Sequence, residues 1–276
     1  MEQSRAIAGA VVVVYNKLCG DSLTCRALAE MGKNAPRVLI YDNSTTDVVQ
    51  KNREFCREHG WQYLGGTGNV GLSRAYNACI DALRGQQGVM CLFDDDTALD
   101  GEYFESLRRG LARTDAGILV PMIYTGERLI SPSIRLPDRR CRLFQNEQAL
   151  RGYTGDALTA INSCMAIDLS VFTEYRYDEN IFLDGIDHTF LEDQKALGRK
   201  IFILDYRCTH GFSGMEKPPM RAALTRFRIL AKDFRYILRN EPGSYRKLIG
   251  RRMLHLTLQY RSLSFFREYM KITHPR

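Results

Sequence analysis

Val89-Met90-Cys91-Leu92-Phe93-Asp94-Asp95-Asp96-Thr97 joins an unbroken apolar run to three carboxylates. Five apolar residues in succession suit a strand buried on both faces, as in a parallel sheet. Ligands of open α/β sheets bind beyond the carboxyl ends of the strands, which is where the triplet falls. Two carboxylates about 5 Å apart repel by roughly 3 kcal/mol at an effective dielectric near 20, so three in one cleft attract a cation. Hard oxygen donors suit Mg²⁺ or Mn²⁺, which also take oxygens from substrate phosphates. The competing reading is a solvated turn in which Asp96 or Thr97 caps a following helix.

Upstream of this strand, strand and helix signals alternate. Ile7 to Tyr15 is rich in β-branched residues and reads as a central parallel strand. Ser22 to Met31 reads as a helix, with Asp21 or Ser22 as its cap. Arg37 to Tyr41 is a second strand and Asp47 to His59 a helix stopped by Gly60. Trp61 to Leu64 and the helix Leu72 to Leu83 complete the series. This order predicts an α/β fold, a mostly parallel sheet with helices on both faces.

Between those last two elements, Gly66-Thr67-Gly68-Asn69-Val70-Gly71 matches GxGxxG, and Asp94 lies 23 residues beyond Gly71. That spacing suits a dinucleotide site and, with it, an NAD(P)-dependent oxidoreductase. The preceding strand, however, is short and polar, and three consecutive carboxylates sit poorly beside a pyrophosphate without a metal. A plain flexible turn before a helix accounts for the glycines equally simply.

Downstream, residues 121–160 are less regular, with Pro121, Pro132, Pro137 and the cluster Arg139, Arg140, Arg142. They read as loops and short elements around a site. Cys164 to Ile167 is apolar, and Ile201 to Leu204 is another strand. After Pro218-Pro219 the composition changes. Arg221 to Arg239 and Tyr245 to Tyr269 read as two helices separated by Glu241-Pro242-Gly243-Ser244. A boundary near 215–220 divides the chain into a body, 1–216, and a helical region, 217–276.

Composition narrows the class. The 276 residues are 45% hydrophobic and 26% charged, which excludes disorder over most of the chain. Eight cysteines form no CxxC pair, so a zinc ribbon or thioredoxin-like motif is excluded. Several lie in apolar stretches and read as buried free thiols of a reducing compartment. No apolar run reaches the length of a membrane span, and the expected location is cytoplasmic. Charge is uneven: residues 217–276 carry 15 Lys and Arg against 3 Asp and Glu, whereas 1–216 carry 24 against 29. The tail therefore expects a partner of negative charge.

The order of these landmarks resembles glycosyltransferase family 2, inverting enzymes of the GT-A fold. VVVVYN (Val11 to Asn16) is similar to the family's first strand and turn, and YDNSTTD (Tyr41 to Asp47) to its base-reading turn. GNVGLSRAYNACI (Gly68 to Ile80) is similar to the N-x-G-x-x-x-A-x-N helix start, and FDDDT (Phe93 to Thr97) to the DxD element. FLDGIDHTF (Phe182 to Phe190) resembles the D-x-x-D segment of bacterial rhamnosyl- and galactofuranosyltransferase-like members. THGFSG (Thr209 to Gly214) places His210 where many members have a metal-ligating histidine.

The resemblance implies a GT-A type, Rossmann-like sheet with a C-terminal helical extension. It implies transfer of a sugar, of rhamnose or galactofuranose type, from a dTDP- or UDP-linked donor to a glycan or lipid-linked acceptor. Tyr15, Asn16, Asp42, Asn69, Gly71 and Arg74 would hold the nucleotide, Asp42 taking a pyrimidine N–H and the helix N-terminus favouring negative charge. Asp94 and Asp95 would touch the ribose, the donor sugar or the metal's waters. Asp96 and His210 would bind Mn²⁺ or Mg²⁺. Asp187 would be the general base, with Asp184 as the second candidate. An ordinary Asx turn for Asp42, a solvated Arg74 and a helix-capping Asp184 or Asp187 are the simpler alternatives. The sequence His188-Thr189-Phe190 departs from the acidic-aromatic residues often found there, and 125–160 matches no known motif and is expected to carry acceptor specificity.

In the tail, Phe227, Leu230, Phe234 and Ile237-Leu238 recur at helical spacing opposite a basic face. Such helices suit an anionic membrane surface. The apolar stripe equally suits packing on the body or on a second subunit in a homodimer. A basic nucleic-acid-binding protein is the remaining alternative, but the acidic body carries no module of that kind and no nucleic acid is expected.

Overall fold

The computed structural model of the chain describes residues 5–210 and 218–273. Its first part alternates as the sequence predicts: β1 (Ile7–Val14), α1 (Leu23–Met31), β2 (Val38–Asp42), α2 (Val48–Glu58), β3 (Gln62–Gly65), α3 (Leu72–Ala82) and β4 (Val89–Asp94). Next come β5 (Thr97–Ala98), α4 (Gly101–Leu111), β6 (Ile118–Thr125), β7 (Arg128–Ser131), β8 (Ser133–Arg135) and β9 (Cys141–Leu143). They lead to α5 (Glu147–Arg151), β10 (Leu158–Thr159), β11 (Met165–Asp168), α6 (Ile186–Ala196) and β12 (Ile201–His210). Beyond residue 217 lie α7 (Met220–Ile237), α8 (Pro242–Tyr260) and α9 (Ser264–Thr273).

The main sheet has the order β3-β2-β1-β4-β11-β6-β12-β5, with β7 paired to β6. From β3 to β4 it is parallel, because each step crosses over through a helix. Beyond β4 it is mixed: β11 runs antiparallel to both β4 and β6. Sequence periodicity does not distinguish these two halves, since a strand buried on both faces looks the same in either direction. The register sets Val14 opposite Asp42 and Val13 opposite Asp94, so the ends of β2 and β4 flank the end of β1.

Alternate strand residues feed two cores, one on each face of the sheet. Val12, Ile40, Cys91 and Phe93 pack with α1 and α4 through Leu28, Tyr103 and Leu107. Val11, Leu39, Met90 and Leu92 pack with α3 and α6 through Tyr76, Ile80 and Phe190. Tyr103 and Phe93 are essentially fully buried, and each such side chain contributes about 1.5–3 kcal/mol. Seven cysteines are buried free thiols; Cys141, in the irregular middle, is exposed.

That irregular middle holds a small antiparallel sheet of order β10-β8-β9 over the end of the main sheet. The expected boundary near 215–220 falls on residues outside those described. Helix α7 lies against the body, with Tyr236 and Ile237 packed on the core that holds α6. It also shares a core with α8 and α9 through Phe227, Ile249, Leu256 and Phe265. One long helix over 245–269 does not form. Pro242 starts α8 from its first turn, as suits a residue lacking an N–H, and Arg261 at φ 49° ends it in the left-handed conformation. Among the described residues, no helix is long and apolar enough to cross a membrane.

Candidate functional site

The acidic triplet begins at the last residue of β4 and turns towards β5. Its backbone is fixed from α1: Ser22 Oγ donates to the Asp95 carbonyl at 2.7 Å and Thr24 Oγ1 to the Asp94 carbonyl at 2.5 Å. Ser22 also caps α1 by accepting from the Cys25 N–H. The helix after the triplet, α4, is capped by Asp100, so the triplet is not its cap. Asp94, Asp95 and Asp96 all line a cleft of about 1090 Å³ together with Tyr15, Asn69 and Gly71.

Within the triplet the three carboxylates differ. Asp95 receives the Lys17 ammonium at 2.8 Å. Burial pushes the Asp95 carboxyl up, and Lys17 opposes that rise. Asp94 and Asp96 line the same cleft and carry hard oxygen donors of the kind a divalent cation takes. Thr97, the next residue, pairs with His210 across β5 and β12, which brings the His210 backbone beside the triplet. The His210 side chain, like Gly211 to Gly214 of its motif, lies outside the described residues. Among the described residues, no three His, Cys, Asp or Glu side chains converge on a metal position. Carboxylates lining a cleft of this volume fit Mg²⁺ or Mn²⁺, which need few protein ligands when a diphosphate supplies the rest.

Three expected nucleotide contacts are placed differently. The Asp42 side chain is fully buried and does not face the cleft. Its carboxylate accepts from the Ser44 N–H at 2.9 Å, Asn52 Nδ2 at 3.0 Å and the Tyr63 hydroxyl at 3.0 Å, so it serves the Asx turn. Asn43 lines the cleft instead, bridging the Val70 N–H and the Gly71 carbonyl. Asn16 adopts φ 50° and its Oδ1 accepts from the Thr45 N–H, pinning the turn behind Tyr15. Arg74 points to Glu179, 3.2 Å away and half exposed, rather than into the cleft.

The glycine-rich segment follows the outermost strand, β3, and not a central one. At Gly71, φ is 86° and a Cβ would stand 2.7 Å from the Phe182 carbonyl, so only glycine permits this approach. The Phe182 carbonyl accepts from the Leu72 N–H at 2.7 Å, and the Ser73 hydroxyl donates to the Ile181 carbonyl. The first N–H of α3 is thereby taken by protein, while Asn69, Gly71 and Leu72 still line the cleft. The same contact disfavours a dinucleotide pyrophosphate at GxGxxG.

Opposite the triplet, the cleft wall is α7. Arg221, Thr225, Arg226 and Ile229 line it. Arg226 holds Asp184 with both guanidinium nitrogens, one at 2.7 Å. Burial pushes the Asp184 carboxyl up despite that partner. Asp233, fully buried on α7, accepts from the N–H groups of Phe182, Leu183 and Asp184 at 2.9, 2.8 and 2.8 Å.

Asp187 sits in the first turn of α6, after Gly185 at φ 82°. It faces a second cavity of about 410 Å³ lined also by Arg135, Arg139, Cys141 and Asn162. Asp94, Leu72, Leu183 and Arg226 line both cavities. Asp187 Oδ1 accepts from the His188 N–H at 2.8 Å and lies 4.0 Å from His188 Nε2. His188 Nε2 is 3.6 Å from Cys141 Sγ and Nδ1 is 2.7 Å from Thr159 Oγ1. Desolvation pushes the Cys141 thiol up, but the His188 hydrogen bond and charge outweigh it and bring the thiol down to about 7. Burial likewise opposes protonation of His188, while Cys141 and Asp187 raise it above the ordinary imidazole value.

Asn43, Arg221, Arg226, Asp233 and the Cys141–His188 pair are the residues that pattern reading missed. Only Asp233 carried a usable signal, as the one acidic residue of α7.

Comparison with known proteins agrees with this architecture. The family described as Glycosyl transferase family 2 matches residues 10–176. Comparison with curated proteins finds no match. GalNAc-T7, solved with UDP, GalNAc and Mn²⁺, superposes with a TM-score of 0.59 at 16% identity, over 76% of this chain and 44% of that one. The chain thus spans under half the length of that relative. S. aureus TarS 1–349 in complex with UDP superposes with a TM-score of 0.51 at 13% identity, over 97% of this chain and 80% of that one. TarS 1–349 with UDP-GlcNAc superposes with a TM-score of 0.50 at 14% identity, over 82% and 66% of the two chains. At these identities the superpositions speak for the fold alone. With the family match covering more than half of its length and this α/β sheet behind it, the chain belongs to glycosyltransferase family 2.

Proposed function

We propose that the chain transfers a sugar from a nucleoside-diphosphate donor to an acceptor hydroxyl, with inversion at the anomeric carbon. The observation that carries this reading is Asp94. It lines the larger cavity, beside the residues that match the family's nucleotide motifs, and also the smaller cavity that Asp187 faces. Donor and acceptor would meet at that carboxylate. TarS 1–349 is solved in complex with UDP and with UDP-GlcNAc, which favours a pyrimidine donor. By resemblance the donor is dTDP- or UDP-linked rhamnose or galactofuranose, and the acceptor a glycan or a lipid-linked glycan.

Tyr15, Asn43 and Asn69 would line the nucleoside, with Arg221 across the cleft near the diphosphate. Asp96, with Asp94, would hold Mn²⁺ or Mg²⁺, joined by His210 as the resemblance implies. Bound there, the cation would neutralise charge building on the departing diphosphate. Asp187 would take the acceptor proton as the hydroxyl attacks from the face opposite the diphosphate. Asp184 suits that task less, because Arg226 occupies its carboxylate. The raised imidazole of His188 would orient Asp187 and the acceptor.

A panel of UDP- and dTDP-sugars, with and without Mn²⁺, tests this. One donor should raise thermal stability in the presence of metal, by mass action. Asp187→Asn should lower transfer by about 10²–10⁴-fold yet leave that donor-induced stabilisation intact. Unchanged turnover would reject Asp187 as base. Tight metal-free binding of NADH, with no response to any nucleotide sugar, would favour the oxidoreductase reading.

A further inference from the structure

The α8–α9 pair carries an apolar surface that the folded chain leaves uncovered. Leu254, Leu258, Leu263, Phe266 and Met270 are between 40% and 69% exposed. Leu254 and Leu258 stand two residues to either side of buried Leu256, hence on the opposite face of α8. Phe266 and Met270 stand likewise two residues to either side of Glu268, whose carboxylate reaches back to Arg228 of α7 at 2.8 Å. Both rows therefore turn away from the core that the two helices share with α7. Scattered exposed leucines are ordinary, but four large side chains on two adjacent helices, with Leu263 in the turn between them, form a patch.

Charge identifies the occupant. Lys247 falls on the Leu254 face of α8 at heptad spacing, Arg251 flanks that face one turn before Leu254, and Arg261 follows the last residue of the helix. Arg267 and Lys271 directly follow Phe266 and Met270, and all five basic residues are exposed. From Pro242 to Thr273 the only acidic residue is Glu268, and Arg228 holds it. A second copy laid on this face would oppose basic groups to basic groups. An anionic bilayer accepts both features: headgroups take the Arg and Lys, and the acyl boundary takes the five apolar side chains.

We infer that the outer face of α8 and α9 docks on an anionic lipid bilayer, with Leu254, Leu258, Leu263, Phe266 and Met270 entering the headgroup–acyl boundary. Arg251 also bonds Asp138 at 3.3 Å, beside Arg139, which lines the smaller cavity. The docking face thus adjoins the side on which the acceptor would enter. That last link rests on the proposed sugar transfer; docking itself does not.

Vesicle co-sedimentation of the full chain tests docking without any donor or acceptor. Vesicles of phosphatidylcholine with about 30% phosphatidylglycerol should bind it, and phosphatidylcholine alone should bind it at least about tenfold more weakly. Leu254→Ser/Leu258→Ser/Phe266→Ser should lose about tenfold or more of the anionic binding with an unchanged melting midpoint, since all three sites are exposed. Lys247→Glu/Arg267→Glu should lose as much and leave phosphatidylcholine binding unchanged. Absence of wild-type binding, equal binding to both vesicles, or undiminished binding by the serine variant would overturn the inference. A concentration-dependent dimer that the serine variant dissolves would overturn it too, assigning the patch to a second copy. Donor-induced thermal stabilisation, measured on the same variants, reports on the transferase reading separately.

Discussion

Asp233 accepts the backbone N–H of Asp184 at 2.8 Å, across 49 residues of sequence, and the same carboxylate takes the N–H groups of Phe182 and Leu183. A fully buried carboxylate on α7 thus clamps the loop that carries Asp184 and leads into Asp187. Asp233→Ala should leave three inward-facing donors without a partner, costing about 2–4 kcal/mol in urea denaturation. Asp233→Asn keeps one carbonyl oxygen and should fall between the two. Equal stability of all three proteins would show that water replaces the clamp. Transfer should fall in the same order, because both aspartates are displaced together.

Little of this clamp was legible beforehand. The apolar run of β4, the β-branched strand β1 and the strand-end position of the triplet were readable, because burial on both faces leaves long apolar runs. The antiparallel course of β11 was not, since direction leaves no trace in a four-residue strand. The partners of Asp42 were not legible, because an Asx turn and a base contact use the same residues, and Asn52 and Tyr63 lie 10 and 21 residues away in sequence. Arg221 and Arg226 were hidden in a region whose excess charge reads as one solvated basic face. In the structure, Arg221 and Arg226 of α7 line the cleft instead. Asp233 was visible as an isolated acid beside Phe234 on the apolar stripe; its partners were not, because they are backbone groups.

Arg226 gives a prediction in pH. Asp184 is largely buried, its carboxyl is raised by that burial, and Arg226 restrains the rise. Ionisation of a group with a raised folded value costs stability as pH climbs through that value. In Arg226→Ala the value rises further and the cost grows. The variant should therefore be less stable than the parent by about 1–2 kcal/mol near neutral pH, a figure discounted because Arg226 is half exposed. The difference should vanish at acid pH, where Asp184 is protonated in both proteins. Paired urea titrations across the acid range check this, and a pH-independent difference would mean that Arg226 acts through packing alone.

Cys141 and His188 give a prediction in reactivity. Sγ lies 3.6 Å from Nε2, and the Thr159 hydroxyl fixes the other ring nitrogen at 2.7 Å. With its value brought down to about 7, Cys141 is about half thiolate at neutral pH. The other cysteines are buried, and burial pushes Cys91 up to about 12 against a lowering Tyr103 hydrogen bond. Iodoacetamide should therefore modify Cys141 first, with a rate that rises through pH 7 and levels off above it. In His188→Ala that midpoint should move up towards an ordinary thiol, slowing the reaction at neutral pH by about tenfold or more. Peptide mass spectrometry reads the site and the rate directly. Because Cys141 lines the same cavity as Asp187, the modified protein should lose acceptor-dependent transfer while donor-induced thermal stabilisation persists. Loss of both together would instead place Cys141 in control of the whole cleft.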